Sequence, residues 1–138
     1  MPDALRRGPL VLSWLCQLVS VAILGQTLFF KFSGAAESCF IFQSLHAEPW
    51  GRLASGVAEL ACVVLLLVPR TAALGAVLSL GVIGGALLAH LFVLGIEVEG
   101  DGGLLFGLAA AVFACSFVVA WIRRGEIPIF GCKLARTG

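Results

Sequence analysis

Four long apolar runs, separated by short polar segments, make up most of this sequence. They cover about residues 9–31, 52–68, 71–96 and 102–122. A helix rises 1.5 Å per residue, so roughly 20 apolar residues in helical form cross the hydrocarbon core of a bilayer. The pattern therefore predicts an all-α integral membrane four-helix bundle, a single domain of residues 1–138 with residues 123–138 as a cytoplasmic tail.

The segments between the runs contain residues that end or redirect helices. Pro69 follows the second run, and an acidic turn with glycines at positions 100, 102 and 103 follows the third. The longest connection joins the first two runs, and its part from Ala35 to Leu45 mixes polar residues with aromatic and aliphatic ones. This composition favours a short interfacial helix that lies at the membrane surface.

The first apolar run has an alternative interpretation as a cleaved secretory signal peptide, because Arg6 and Arg7 precede it. Its twenty-two uncharged residues from Pro9 to Phe30 exceed an ordinary signal-peptide core, and Lys31 interrupts the chain before a cleavage site could follow. We therefore expect this run to stay in the protein as the first membrane span.

The composition agrees with a protein whose main solvent is lipid. The chain is 60% hydrophobic and 12% charged, with a mean hydropathy of +1.07, whereas charged residues make up about 25% of a soluble domain. It contains no basic or acidic run, so we expect no nucleic-acid partner. Its five cysteines form no C-x-x-C pair, so their spacing predicts neither a zinc site nor a thioredoxin-type motif.

The basic residues lie mainly on one side of the predicted membrane. With four spans, both termini and the turn at Arg70 share a side that collects seven basic residues, whereas the other side has Lys31 and Arg52. Cytoplasmic flanks retain Lys and Arg, so we expect both termini in the cytoplasm and the acidic turn outside. The seven residues are Arg6, Arg7, Arg70, Arg123, Arg124, Lys133 and Arg136.

Small residues recur at four-residue steps on the third and fourth spans. Gly81 and Gly85 form a GxxxG pair on the third, and Gly103 and Gly107 begin a stripe on the fourth that continues through Ala111. Since lipid is as apolar as leucine, membrane helices associate through close backbone approach at such residues. The two stripes are predicted to pack together or against a neighbouring subunit.

Two ionisable side chains, Glu59 and His90, lie inside apolar runs. Counted at 1.5 Å per residue from the outer boundary, Glu59 lies roughly 10 Å and His90 roughly 9 Å below the surface, and Lys31 lies at the edge of the first span. An uncompensated carboxylate at the bilayer centre costs roughly 2.5–3.5 kcal/mol, so such an acid normally has a partner or a task. Three helices thus bring an anion, an imidazole and a cation to a similar depth.

We therefore predict an outward-facing polar pocket in the outer leaflet, with no catalytic role assigned to its residues. In one interpretation, Lys31 or Arg52 neutralises Glu59 for structural reasons alone. In the other, the pocket holds the polar head of a quinone or another small amphiphile, or passes protons through His90. The predicted lining residues are Gln26, Lys31, Arg52, Glu59, His90, Glu97 and Asp101.

Several short motifs follow one another in order along the chain. They are Phe29-Phe30-Lys31-Phe32, Glu37-Ser38 with Phe42, Glu48-Pro49-Trp50-Gly51-Arg52, Gly56-Val57-Ala58-Glu59-Leu60, Leu65-Leu66-Leu67-Val68-Pro69, Gly75-Ala76 through Gly85-Ala86 to His90-Leu91, and Asp101-Gly102-Gly103-Leu104-Leu105-Phe106. No single motif is a catalytic signature, but the ordered set resembles the DoxX family of small four-helix membrane proteins over roughly residues 12–122.

The resemblance implies a four-helix bundle in the bacterial inner membrane, in a family related to the methylamine-utilisation protein MauE. Relatives act as membrane subunits of oxidoreductases or as anchors in thiol-redox complexes. We therefore expect a membrane subunit or anchor of a quinone- or thiol-linked redox system, with a quinone as ligand, lipid around it, and a homo-oligomer or a heteromeric redox partner. The alternatives are a non-enzymatic carrier for a small amphiphile or ion, and a chaperone-like membrane adaptor. Because the sequence has no haem pair, flavin fingerprint or iron–sulfur spacing, we expect at most a membrane subunit of an oxidoreductase.

Overall fold

The computed structural model describes residues 3–97, 100 and 102–124, and within these ranges every regular element is a helix. A short π-helical segment, His90–Leu94, extends the fourth α-helix. The α-helices are α1 Asp3–Ser33, α2 Ala36–Ser44, α3 Trp50–Leu67, α4 Ala72–Ala89 and α5 Leu104–Ile122.

The four predicted spans correspond to α1, α3, α4 with its π-helical segment, and α5. Each of these is long and apolar enough to cross a membrane, so the prediction of an all-α protein with four such helices is confirmed. The third span is less regular than predicted, since its hydrogen-bond pattern changes at His90 and the helix ends at Gly95, where φ is +79°. The predicted short helix corresponds to α2, which has nine residues.

The four long helices form a ring in which each packs against two neighbours. α1 packs against α3 and α5, and α4 packs against the same two helices. Gln17 in the middle of α1 bonds to the Leu66 carbonyl at the end of α3, whereas Lys31 near the end of α1 bonds to Glu59 in the middle of α3, so α1 and α3 run in opposite directions. Short connections between the remaining helices complete an up-down-up-down bundle.

The bundle has apolar outer faces and buries several polar side chains beside its apolar core. Its outer faces carry large apolar side chains, among which Phe92 is 81% and Phe29 is 70% exposed, whereas Ser13, Gln17 and Ser20 are completely buried. Hydrocarbon is a good solvent for the apolar outer faces but offers polar groups no hydrogen bonds. The polar side chains on the inner faces must therefore find partners within the bundle.

Glycine allows α3 and α4 to approach closely next to the turn that joins them. A Cβ atom at Gly75 would lie 2.8 Å from the Leu65 Cβ and 2.9 Å from the Leu66 backbone nitrogen. The Thr71 hydroxyl donates a hydrogen bond to the Leu65 carbonyl at 3.0 Å, which pairs one of the carbonyls left open at the end of α3. The backbones of the two helices are thus held together at this end.

The predicted glycine stripes do not pack together within the chain. Gly81, Gly85 and Gly107 are exposed, and a Cβ atom at any of them would have no described atom from another element within 4 Å. Gly103 has a left-handed backbone at the start of α5, where a Cβ atom would lie 3.2 Å from Ile96. The core between α4 and α5 is filled by bulkier side chains on other faces of these helices, so Gly81 and Gly107 are turned outward, whereas Gly85 lines a cavity of the bundle. Contact with a neighbouring subunit stays a prediction.

The substitution Gly75→Ala should lower the stability of the bundle, because the added methyl group would push α4 away from α3. Overpacking of this kind costs about 1–3 kcal/mol. Thermal unfolding in detergent, followed by circular dichroism, would show the effect as a lower Tm. Gly84→Ala is the control on the same helix; its added Cβ atom would lie 3.6 Å from the Phe113 ring, an ordinary contact, so its Tm should be unchanged or higher. Equal Tm values for the two variants would contradict a close α3–α4 contact.

Candidate functional site

A buried carboxylate lies at the centre of the candidate site. Glu59 on α3 is 3% exposed, and its Oε1 accepts a hydrogen bond from the Lys31 ammonium in a salt bridge. Its Oε2 lies 2.9 Å from the Thr27 hydroxyl. Thr27 and Lys31 are one turn apart on α1 and therefore share a face. Each carboxylate oxygen thus has a neighbouring donor, as a charge in a low-dielectric environment requires.

The Lys31 ammonium is held between two elements. Its Nζ lies 5.6 Å from the ring centroid of Phe42 on α2, in addition to its bond with Glu59 on α3. A cation near an aromatic face is attracted by the negative electrostatic potential of the ring. The Lys31 side chain is 16% exposed, so little solvent separates the ion pair.

His90 brings a third ionisable group to the site from the end of α4. It is 6% exposed, and its Nδ1 lies 3.1 Å from the Gly95 carbonyl oxygen. A carbonyl can only accept, so Nδ1 carries the proton, and Nε2 of the neutral imidazole is an acceptor. The ring packs edge-to-face on Phe106 at 5.8 Å between centroids. His90 is also the first residue of the π-helical segment, a feature that is frequent at functional sites.

A cavity of about 330 Å³ joins these groups. Of the seven predicted lining residues, the structure brings Lys31, Glu59 and His90 together here. α2 covers the cavity, and most of the remaining lining residues are aliphatic ones from α1, α4 and α5. The volume falls within the range of about 300–1,000 Å³ that is usual for small-molecule sites. The polar lining residues are Thr27, Lys31, Glu37, Ser38, Ser55, Glu59 and His90.

Arg52 does not line the cavity, contrary to the prediction. Its Nε lies 3.0 Å from Glu48 Oε1, and its Nη1 donates to the Lys31 carbonyl. Arg52 and Glu59 share a helical face, but Arg52 lies in the first turn of α3, within reach of the preceding connection. Its role here is to tie that connection to the end of α1, where a backbone carbonyl needs a donor.

The prediction for Gln26 is also wrong, because this side chain is exposed and does not line the cavity. A step of one residue turns an α-helix by about 100°, so Thr27 takes the place beside Glu59. The sequence offered two neighbouring polar residues, and the rotation of α1 selects the second.

The two acidic residues predicted at the rim have different outcomes. Glu97 is exposed and does not line the cavity, because the helical segment ends before it and the chain turns away at Gly95. Asp101 lies outside the described residues.

A second polar cluster lies at the opposite end of the bundle, and the sequence analysis missed it. Ser13 donates to Gln17 at 2.7 Å, and Gln17 donates to the Leu66 carbonyl at 2.7 Å. The Arg123 Nε lies 2.9 Å from the Ser13 hydroxyl and 3.2 Å from Gln17 Oε1. The sequence did contain an indication of this cluster. Polar residues recur in the first apolar run at steps of four and three, at Ser13, Gln17 and Ser20, and this spacing places them on one helical face.

Comparison of the chain with protein-family models, with curated proteins and with solved structures gives no match. The resemblance to the DoxX family therefore stays an expectation from the sequence motifs.

The substitution Lys31→Met should destabilise the protein, because Glu59 would stay buried without its cation. Removing one partner of a buried ion pair costs about 3–5 kcal/mol, whereas replacing both partners with apolar residues is often neutral. The double variant Lys31→Met/Glu59→Met should therefore recover most of the lost Tm in nanodiscs. Glu97→Gln, at an exposed acid, is the control and should unfold like the unaltered protein. A Tm unchanged by Lys31→Met would contradict a stabilising ion pair.

Proposed function

We propose that this protein is a membrane-embedded binding subunit whose cavity takes the polar head of a small, uncharged amphiphile. The observation that carries the proposal is the cavity itself, in which Lys31, Glu59 and His90 meet walls that are otherwise largely aliphatic. Such a combination suits a ligand with one hydrogen-bonding head and one apolar body.

The charges around the cavity favour an uncharged head. Lys31 and Glu59 neutralise each other as a pair, and Glu37 adds a further carboxylate to the lining. A fatty acid or a lipid phosphate would bring a second anion close to Glu59 and would be repelled in this low-dielectric space. A head without charge avoids that repulsion and leaves the ion pair intact.

The hydrogen-bonding groups favour a quinone or quinol among uncharged amphiphiles. The Lys31 ammonium has three N–H donors, of which Glu59 uses one, and the His90 Nε2 is an acceptor. A ring with carbonyl oxygens at one redox state and hydroxyls at the other could bond to both residues. This ligand would connect the protein to a redox system as a membrane subunit or anchor, in agreement with the DoxX-like motifs. A non-redox carrier for a small amphiphile would use the same cavity.

The distribution of basic residues supports a placement in the bacterial inner membrane with both termini in the cytoplasm. Arg7, Arg70 and Arg124 lie near the bundle end that contains the Arg123 cluster. Because positively charged flanks stay on the cytoplasmic side, this end faces inward. The cavity then opens toward the outer leaflet, and α2 lies at the outer membrane surface.

The exposed glycines support an assembly with a second membrane helix. Gly81 and Gly107 leave open space beside α4 and α5, where another backbone could approach closely. The partner in this proposal is a second copy of the chain or the membrane-spanning part of a redox protein.

The proposed ligand can be tested with three probes that share a ten-carbon chain and differ in their head groups, namely decylubiquinone, decanoate and decanol. The protein in nanodiscs should bind decylubiquinone with a measurable rise in Tm and should bind decanoate at least tenfold more weakly. Glu59→Gln should reverse this order, since it leaves the Lys31 cation without its anion and favours the carboxylate. A tenfold change in affinity corresponds to about 1.4 kcal/mol. Isothermal titration and thermal shift measure both effects.

The controls use residues that share an element or a charge type with the site. Gln26→Leu lies on the exposed face of α1 next to Thr27 and should leave binding unchanged, whereas Thr27→Val should weaken it. Glu97→Gln should also have no effect. The proposal fails if the unaltered protein binds none of the probes or binds decanoate more tightly than decylubiquinone. Equal binding of decanol and decylubiquinone would favour the non-redox carrier.

A further inference from the structure

Four small polar side chains, one from each long helix, lie in the interior between the cavity and the Arg123 cluster. They are Ser20 on α1, Cys62 on α3, Ser79 on α4 and Ser116 on α5, and each is 0% exposed. We refer to these four residues as the central polar layer. Their occurrence on all four helices raises the question of whether they share one level.

The contact between α1 and α3 places Ser20 and Cys62 at a similar level. Gln17 bonds to the Leu66 carbonyl, which aligns these two positions across the interface. Toward the cavity, Ser20 lies about 4.5 Å beyond Gln17, and Cys62 lies about 6 Å beyond Leu66, at 1.5 Å per residue.

The contact between α3 and α4 adds Ser79 to this level. Gly75 approaches the Leu66 backbone nitrogen, and Ser79 lies four residues further along α4, about 6 Å toward the cavity. The Cys62 side chain lies close enough to Ser79 to interact with it, but the Ser79 hydroxyl makes no hydrogen bond.

The contact between α1 and α5 adds Ser116. Arg123 bonds to Ser13, and both Ser20 and Ser116 lie seven residues from these partners in the direction of the cavity, or about 10.5 Å. The four residues of the central polar layer therefore lie at a similar height along the bundle axis.

The three serine hydroxyls of this layer have no hydrogen-bond partner among the described residues. Ser20 Oγ, Ser79 Oγ and Ser116 Oγ are all inaccessible and unpaired, whereas the Ser13 hydroxyl one layer away has two partners. A buried hydroxyl without a partner is costly, and the layer would contain three of them side by side. Each hydroxyl can both donate and accept, so the layer offers hydrogen-bonding capacity from three of the four helices.

The residues one turn away on either side show what the central polar layer adjoins. Leu24, Ile83 and Val112 lie one turn nearer to the cavity and form an apolar layer of the core. On the other side, Gln17 lies one turn from Ser20 on the same face of α1 and belongs to the Arg123 cluster. On α3, Glu59 lies one turn from Cys62 in the direction of the cavity, so the central polar layer adjoins both the Arg123 cluster and the ion pair of the ligand site.

The structure assigns to the central polar layer a binding site for internal water, hydrogen-bonded to the hydroxyls of Ser20, Ser79 and Ser116 and adjacent to the Cys62 thiol. Water is the ligand that matches the chemistry, since the layer has uncharged groups that donate and accept and small side chains that leave little room for a larger molecule. A buried water typically makes about three hydrogen bonds, which is the number of hydroxyls offered here. This site does not depend on the proposed amphiphile.

The Cys62 thiol reports directly on water in this layer. Infrared spectra of the protein in nanodiscs would be recorded in H₂O and in D₂O, and the spectrum of Cys62→Ala would be subtracted to isolate the S–H band of Cys62. Water in the layer should exchange the thiol proton, so the S–H band should be lost in D₂O. Retention of this band in D₂O, in protein that keeps the Tm of the folded state, would overturn the proposal.

Serine substitutions give a second test, because they should change the Tm in opposite directions for a dry layer and for a layer that binds water. In a dry layer, Ser79→Ala removes an unpaired hydroxyl and should raise the Tm. With water bound, the same substitution removes a hydrogen-bond partner of that water and should lower the Tm. It should also slow the exchange of the Cys62 thiol proton in D₂O. Ser33→Ala, at an exposed serine of α1, is the control and should change neither value. A higher Tm for Ser79→Ala and for Ser116→Ala would contradict bound water.

Discussion

A carboxylate inside an apolar bundle must be matched by a cation and by hydrogen-bond donors from the protein, because lipid supplies neither. Glu59 imposes this requirement on the whole fold. Lys31 and Thr27 meet it from one face of α1, which sets both the rotation of α1 and its height against α3. With these two helices fixed, the end of α4 brings His90 to the same space, and α2 covers it. The candidate site is thus a consequence of how one buried charge is compensated.

The same requirement explains the three polar levels of the interior. The cavity contains an ion pair, the opposite end contains an arginine bonded to serine and glutamine side chains, and the centre contains small hydroxyl and thiol groups. Leu24, Ile83 and Val112 lie between the cavity and the centre on α1, α4 and α5, whereas on α3 Glu59 of the ion pair lies one turn from Cys62. Close backbone approach at Gly75 holds the helices near enough for these groups to meet. Packing and polarity therefore support each other along the bundle axis.

The proposed function follows from the mixture of groups around the cavity and not from the fold. Four-helix bundles carry many unrelated sites, so the bundle itself says little about activity. A neutralised ion pair, an imidazole acceptor and aliphatic walls favour an uncharged amphiphilic head, and the DoxX-like motifs favour a redox connection for such a ligand.

The sequence by itself determined the elements and the groups that needed partners. Run lengths and apolar composition identified four helices that are long and apolar enough to span a membrane, and the cost of charge in lipid singled out Glu59, His90 and Lys31. Only the tertiary structure decided which neighbours these groups have. The rotation of α1 chose Thr27 over Gln26, and Glu48 drew Arg52 away from the cavity. Gly81 faces outward, whereas Gly85 lines the cavity. Ser13 and Gln17 contact Arg123, which lies more than a hundred residues away in the sequence. Periodicity gives the spacing of a face along one helix, whereas the direction of that face depends on the helices that pack around it.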